Sequence, residues 1–220
     1  FGLIGGSIAH ALRTLYPDSN IRAYNYYETR PHPKLEQALQ EHTLSGISTD
    51  LADFAQCDVI FLCAPVLTNI SYLKRLKPHL SPDCILTDVG SVKGNIETAI
   101  RDLGLGSQFV GGHPMTGSEK TGYANSDASY LKDAWYILTP TVETKKEYTE
   151  WMENFITAAG SHCILLDAGK HDDITAAISH CPHVISASLV NTVADRDTDG
   201  KHALLAAGGF KDITRISSSS

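Results

Sequence analysis

Two uninterrupted apolar runs, CDVIFLCAP at Cys57–Pro65 and CILTDVG at Cys84–Gly90, constrain this chain more than any other feature. Such runs lack the polar alternation of a half-exposed strand, so both faces must be covered. Strands covered on both faces belong to parallel sheets with helices packed above and below. Helical spacing follows each run, at Thr68–Leu76 and Lys93–Leu103, and the segment reads βαβα. Upstream, FGLIGGSIAHALRTL opens with a glycine-rich turn and passes into a helical pattern with Ile8, Leu12 and Leu15 on one face. A short apolar segment, Ile21–Tyr24, and a helical piece about Leu35–Leu39 continue the alternation. FVGGHP at Phe109–Pro114 and AWYILTP at Ala134–Pro140 read as two further strands, joined by a polar loop of about twenty residues, a length typical of functional loops. Glu143–Ala159 is an amphipathic helix and His162–Asp167 a last edge strand; from Ala168 one long buried helix is expected to about Ala194. The expected fold is α/β, a doubly wound sheet, with a domain boundary near Asp167.

Charge narrows the partners. The 220 residues carry 18 Lys and Arg against 25 Asp and Glu, a net charge of −7, with no basic run to follow phosphates, which argues against nucleic acid. No apolar stretch reaches the roughly 20 residues of a membrane span, and the chain opens without the segments of a secretion leader, so no membrane partner is expected. The five cysteines, Cys57, Cys63, Cys84, Cys163 and Cys181, form no C-x-x-C pair and sit mostly in apolar runs. They read as reduced core thiols of a cytoplasmic protein.

The glycine turn carries the first chemistry. In a G-x-G-x-x-G fingerprint the glycines allow a tight turn, close backbone approach to a pyrophosphate and close packing of helix on strand. Gly2, Gly5 and the adjacent Gly6 match its later positions, and the first glycine with its strand is expected before Phe1. A structural turn fits this partial match as well as a nucleotide site does; the βαβ alternation behind it favours a pyrophosphate on the backbone of Gly2, Leu3, Ile4, Gly5 and Gly6. Ala64 and Pro65 close the first apolar run at the carboxyl edge, where such sheets hold a cofactor. About twenty positions after the turn, where an acid normally bonds the ribose hydroxyls and repels a 2′-phosphate, the count reaches Asn25. Asparagine bonds a ribose without repelling a phosphate, and Arg30 is close in sequence. NAD is the expected cofactor, NADP a permitted one, and Asn25→Asp is expected to sharpen the preference. Asn25 as an ordinary turn residue is the competing reading.

Ser91 and Lys93 in DVGSVKG lie in the loop after a parallel strand; Ser91 reads as a helix cap, a ligand group, or both. In GGHPMTGSEKTG, His113 follows a buried strand, and Ser118 and Glu119 sit on the polar loop beyond it. SHCPH brings Ser179, His180 and His183 together on the long helix, with Cys181 between the histidines. Zinc is the alternative there, but H-x-x-H lacks a clear third ligand and no glutamate follows the metalloprotease pattern, so no metal is assigned. In GGFKDITR, Asp212 and Arg215 are spaced either as a surface ion pair or so as to offer a guanidinium to a carboxylate.

GLIGGS, DVGSVKG, GGHPMTGSEKTG, HDDITAAISHCPH and GGFKDITR, in this order, resemble the prephenate dehydrogenase family over nearly the whole chain. The resemblance implies a Rossmann-type domain over 1–167, then over 168–220 the start of an all-helical dimerisation domain that joins two subunits as a homodimer, with the active site between the domains. It implies NAD-dependent oxidative decarboxylation of prephenate to 4-hydroxyphenylpyruvate and CO2, with arogenate as the alternative substrate; a nucleotide-sensing module without catalysis is the rival of a different class. By the same resemblance, His113 is the catalytic histidine and Ser91 bonds the substrate hydroxyl, while Arg215 holds a substrate carboxylate. His180 and His183, with Ser179, line the nicotinamide and substrate pocket, and Ser118 and Glu119 lie in the loop over the ligand. The chemistry suits these types: a neutral imidazole, with an ordinary pKa of about 6.5, accepts a hydroxyl proton, and a guanidinium fork binds a carboxylate. Two departures from the family are the absent first glycine and the end at TRISSSS, so a strand before Phe1 and further helices after Ser220 are expected.

Overall fold

The computed structural model describes residues 1–27, 30–116 and 120–218. It divides into two compact units, Phe1–His171 and Asp172–Ser220. The division falls just beyond the change of texture at Asp167, inside a helix.

The first unit runs α1 (Leu3–Leu15), β1 (Arg22–Tyr24), α2 (Pro33–Gln40), β2 (Gly46–Ser48), β3 (Val59–Leu62), α3 (Val66–Leu76), β4 (Ile85–Asp88), α4 (Gly94–Asp102), β5 (Phe109–Pro114), β6 (Trp135–Pro140), α5 (Lys146–Ala158) and β7 (His162–Leu165). β3, β4, β5, β6 and β7 form one sheet in that order, and β1 pairs with β2 in a parallel two-stranded sheet. Successive side chains of a strand point to opposite faces, and the core follows that rule. Val59 and Phe61 pack with Ile8 of α1 and Phe155 of α5, while Ile60 and Leu62 pack with Leu73 of α3 and Ile96 of α4. Helices therefore cover both faces, as the unbroken apolar runs require. A third cluster joins Ala23 of β1 to Leu35 and Ala38 of α2.

Three local readings change. Gly5 and Gly6 lie within α1, not in a turn ahead of it, and on its buried face they let the helix approach its neighbours. A Cβ on Gly5 would sit 3.1 Å from Cys63 Cβ, and one on Gly6 would collide with Ser126 and Tyr123. β2, three residues without an apolar run, gave no signal in the sequence. Finally the sheet is mixed, because β6 runs antiparallel to β5, with Pro114 opposite Tyr136. A parallel return needs a crossover along the length of the sheet. The connection here instead begins and ends at the same sheet edge, and its described part holds only short 3-10 turns at Tyr123–Asn125 and Ala128–Tyr130.

A helical run occupies Ala168–Ala194, in three pieces: α6 (Ala168–Thr175), one π-helical turn at Ala176–His180, and α7 (Cys181–Ala194); the expectation of a buried helix fails beyond Thr175, where Ser186 is the buried residue of α7 and most others are exposed or half-buried. Pro182 has no N–H to offer the preceding turn, and a widened turn before it absorbs the interruption. The second unit continues with α8 (Lys201–Leu205), α9 (Gly208–Thr214) and a 3-10 turn at Arg215–Ser218. Among the described residues no helix is long and apolar enough to cross a membrane. All five cysteines are free thiols; Cys84 is buried, whereas Cys181 is exposed on α7 rather than in the core.

Candidate active site

The carboxyl ends of β3, β4 and β5 present Ala64 and Pro65, Ser91, and His113 in turn. The packing of Gly5 on Cys63 sets the amino end of α1 beside the first of these. That helix end has no side-chain cap and no acidic residue in its first turn, and a Cβ on Gly2 would meet nothing within 4 Å. The uncapped positive end of a 13-residue helix, with room beside Gly2, suits a pyrophosphate. Beside them, the turn after β3 is fixed by buried Asn69, which accepts from Ala64 N–H at 3.1 Å and donates to the Leu62 carbonyl at 3.0 Å. Burial pushes the Cys63 thiol up to about 12, which keeps it protonated.

Asn25 is more occupied than its place in the sequence suggests. It is 1% exposed, and its amide nitrogen donates to the carbonyls of Tyr27 at 2.7 Å and Arg30 at 3.0 Å, while its oxygen accepts from His32 N–H at 3.2 Å. Both amide protons are committed to holding the loop after β1, so any bond to a ribose falls on the second lone pair of the oxygen. The turn-residue reading accounts for these bonds.

Ser91 is exposed in the loop after β4, and the amino-terminal cap of α4 is Lys93, without a side-chain cap bond, so the capping role expected of Ser91 is absent. His113 lies at the end of β5, paired in register with Ile137. Its Nδ1 is 2.8 Å from Nε2 of His171, whose side chain is fully buried. Such a contact holds one proton between the two nitrogens, so it fixes the ring and restricts its tautomer. The sequence put His171 on the long helix and gave it no role; nothing in local spacing connects it with a residue 58 positions earlier. Buried Lys93 and Asp88 form an ion pair under the same loops, which sequence reading also missed.

Ser118 and Glu119 lie outside the described residues. In the second unit, Ser179 and His183 are exposed and His180 is half-buried, on consecutive turns where the π-turn meets α7. Arg215 is exposed at the carboxyl end of α9. Among the described residues the only group of three potential metal ligands is Asp197, Asp199 and His202. That group caps α8: Asp197 accepts from the amides of His202 and Ala203.

The family model for the prephenate dehydrogenase nucleotide-binding domain matches residues 8–165, and that for the prephenate dehydrogenase dimerization domain matches 167–220. A prephenate dehydrogenase of Bacillus subtilis is 35% identical, covering 100% of this chain and 59% of that protein. The chain thus spans about three fifths of the length of the curated relatives it matches first. The structure of Aquifex aeolicus prephenate dehydrogenase with hydroxyphenyl propionate and NAD+ superposes with a TM-score of 0.90 at 31% identity, over 100% of this chain and 76% of that one. Synechocystis arogenate dehydrogenase gives a TM-score of 0.82 at 32% identity, over 98% of this chain and 76% of that one. With both of its segments matched in order by the two domains of one enzyme family, the chain belongs to the prephenate dehydrogenase family.

Proposed function

We propose that the protein oxidises prephenate with NAD+ as a prephenate dehydrogenase, giving 4-hydroxyphenylpyruvate, CO2 and NADH. The observation that carries this reading is the His113–His171 contact at the carboxyl end of β5. With Nδ1–H of His113 donating to His171, Nε2 of His113 keeps its lone pair and accepts the proton of the substrate 4-hydroxyl. The Gly2–Gly6 backbone at the amino end of α1 holds the pyrophosphate, with Ala64, Pro65 and Asn25 as further cofactor contacts. NAD+, when bound, supplies the hydride acceptor. Ser91 bonds the substrate hydroxyl, Arg215 binds a substrate carboxylate, and Ser179, His180, His183, Ser118 and Glu119 complete the substrate contacts. Loss of CO2 leaves an aromatic ring, so the protein has only to orient groups and remove one proton.

A homodimer through the second unit is part of the proposal, supported by the dimerization-domain match and by exposed Ile178, Val184, Ile185, Leu204, Leu205 and Ile213. A cytoplasmic setting is supported by the five free thiols. Arogenate is the second reading, favoured by the likeness to the Synechocystis enzyme. Assays of the full-length protein with prephenate and with arogenate, each against NAD+ and NADP+, separate the two. The expected result is NADH formation with prephenate; no turnover with either substrate would overturn the reading.

A further inference from the structure

We propose that the buried Lys93–Asp88 ion pair is a positioning device that sets His113 and Ser91 relative to each other; this rests on the reaction proposed above. Ladder pairing between β4 and β5 stops at Thr87 opposite Val110, so the amide and carbonyl of Gly112, which face β4, have no backbone partner there. The ion pair takes both. Asp88 Oδ1 accepts from Gly112 N–H at 3.2 Å, and Lys93 Nζ donates to the Gly112 carbonyl at 2.7 Å. Asp88 Oδ2 also accepts from Gly90 N–H at 2.9 Å and from Lys93 Nζ at 2.5 Å. One pair of charges therefore grips the residue just before His113 and the residue just before Ser91.

The surroundings are built to this grip. A Cβ on Gly112 would lie 2.6 Å from the Asp88 carbonyl oxygen and 2.9 Å from Tyr136 Oη, and one on Gly90 would lie 2.9 Å from Asp88 Oδ2. Only glycine lets Asp88 reach both backbones. Lys93 is 1% exposed and Asp88 fully buried. Two charges so buried add little stability over apolar residues of the same shape, so the geometry they impose is the better account of their presence. DVGSVKG and GGHP are thus two halves of one clamp, which sets two groups that act on the same hydroxyl.

The test uses the full-length protein, with folding followed by thermal unfolding. Lys93→Met should lower turnover on prephenate about ten- to a hundredfold, the scale of a misplaced reacting group, with NAD+ affinity by tryptophan fluorescence nearly unchanged. In a His113→Asn background the same change should cost clearly less than in the wild type, because the part that acts through His113 is already lost and only the part through Ser91 remains. Independently of activity, the NMR signals of the His113 ring should broaden or split in Lys93→Met. If Lys93→Met does not fold, Asp88→Leu with Lys93→Met removes both charges; this double variant should fold and be slow. An equal loss with and without His113, unchanged ring signals, or a folded double variant with wild-type turnover would each overturn the clamp. A wild-type protein inactive on both substrates overturns the functional reading instead, and the ring signals still report on the clamp.

Discussion

At the scale of single residues, what a side chain can do is set by which of its atoms are already engaged. His113 has Nδ1 on His171, so in the proposed reaction its Nε2 is the base. His113→Asn keeps a hydrogen-bonding group but takes no proton, and should lower turnover roughly a hundredfold to ten-thousandfold while NAD+ binding survives. Wild-type turnover should also fall on the acid side as the imidazole gains its second proton, and a variant that keeps that acid limb would place the base elsewhere. Asn25 is the opposite case, a residue whose amide protons are both spent. Asn25→Asp turns two donors into an acceptor facing the carbonyls of Tyr27 and Arg30. It should cost about 1–3 kcal/mol in thermal or urea unfolding, in place of a clean gain in cofactor preference.

At the scale of elements, α1 is the piece on which most depends, and its small residues are there for packing. Gly6→Val drives a branched side chain into Ser126 and Tyr123 and should destabilise by about 1–3 kcal/mol, read as a lower unfolding midpoint. Tyr123 also ties the long β5–β6 loop to the end of α2, its hydroxyl lying 2.7 Å from Glu41 Oε2 and 2.9 Å from Thr43 Oγ1. Burial, with the Glu41 carboxylate adding to it against the Thr43 bond, pushes this phenol up to about 12 from its ordinary 10.0. The neutral form is thus favoured by folding. Its contribution is complete below about pH 10 and lost as pH rises through about 12. Tyr123→Phe should therefore unfold less steeply than wild type over that alkaline window, in pH-scanned thermal melts.

At the scale of the whole molecule, all six of the exposed apolar side chains named above lie in the second unit, and apolar surface gathered there calls for a cover. Light scattering of the full-length protein should give a dimer mass, and Ile185→Lys should shift it toward monomer; a monomeric wild type would remove the dimer from the proposal. The sequence by itself determined the α/β class and the strands from β3 to β7, because apolar runs and their punctuation depend on periods and spacings within a few residues; the family came from the resemblance of five motifs in order. The sequence also placed His113 at a strand end, since a strand stopped by proline announces its own edge. Only the tertiary structure decided the antiparallel β6, the His171 partner of His113, the commitment of Asn25 and the Lys93–Asp88 grip on Gly112. Each of these joins residues by side-chain reach or chain direction, and a linear pattern holds no record of which buried polar group will find which partner.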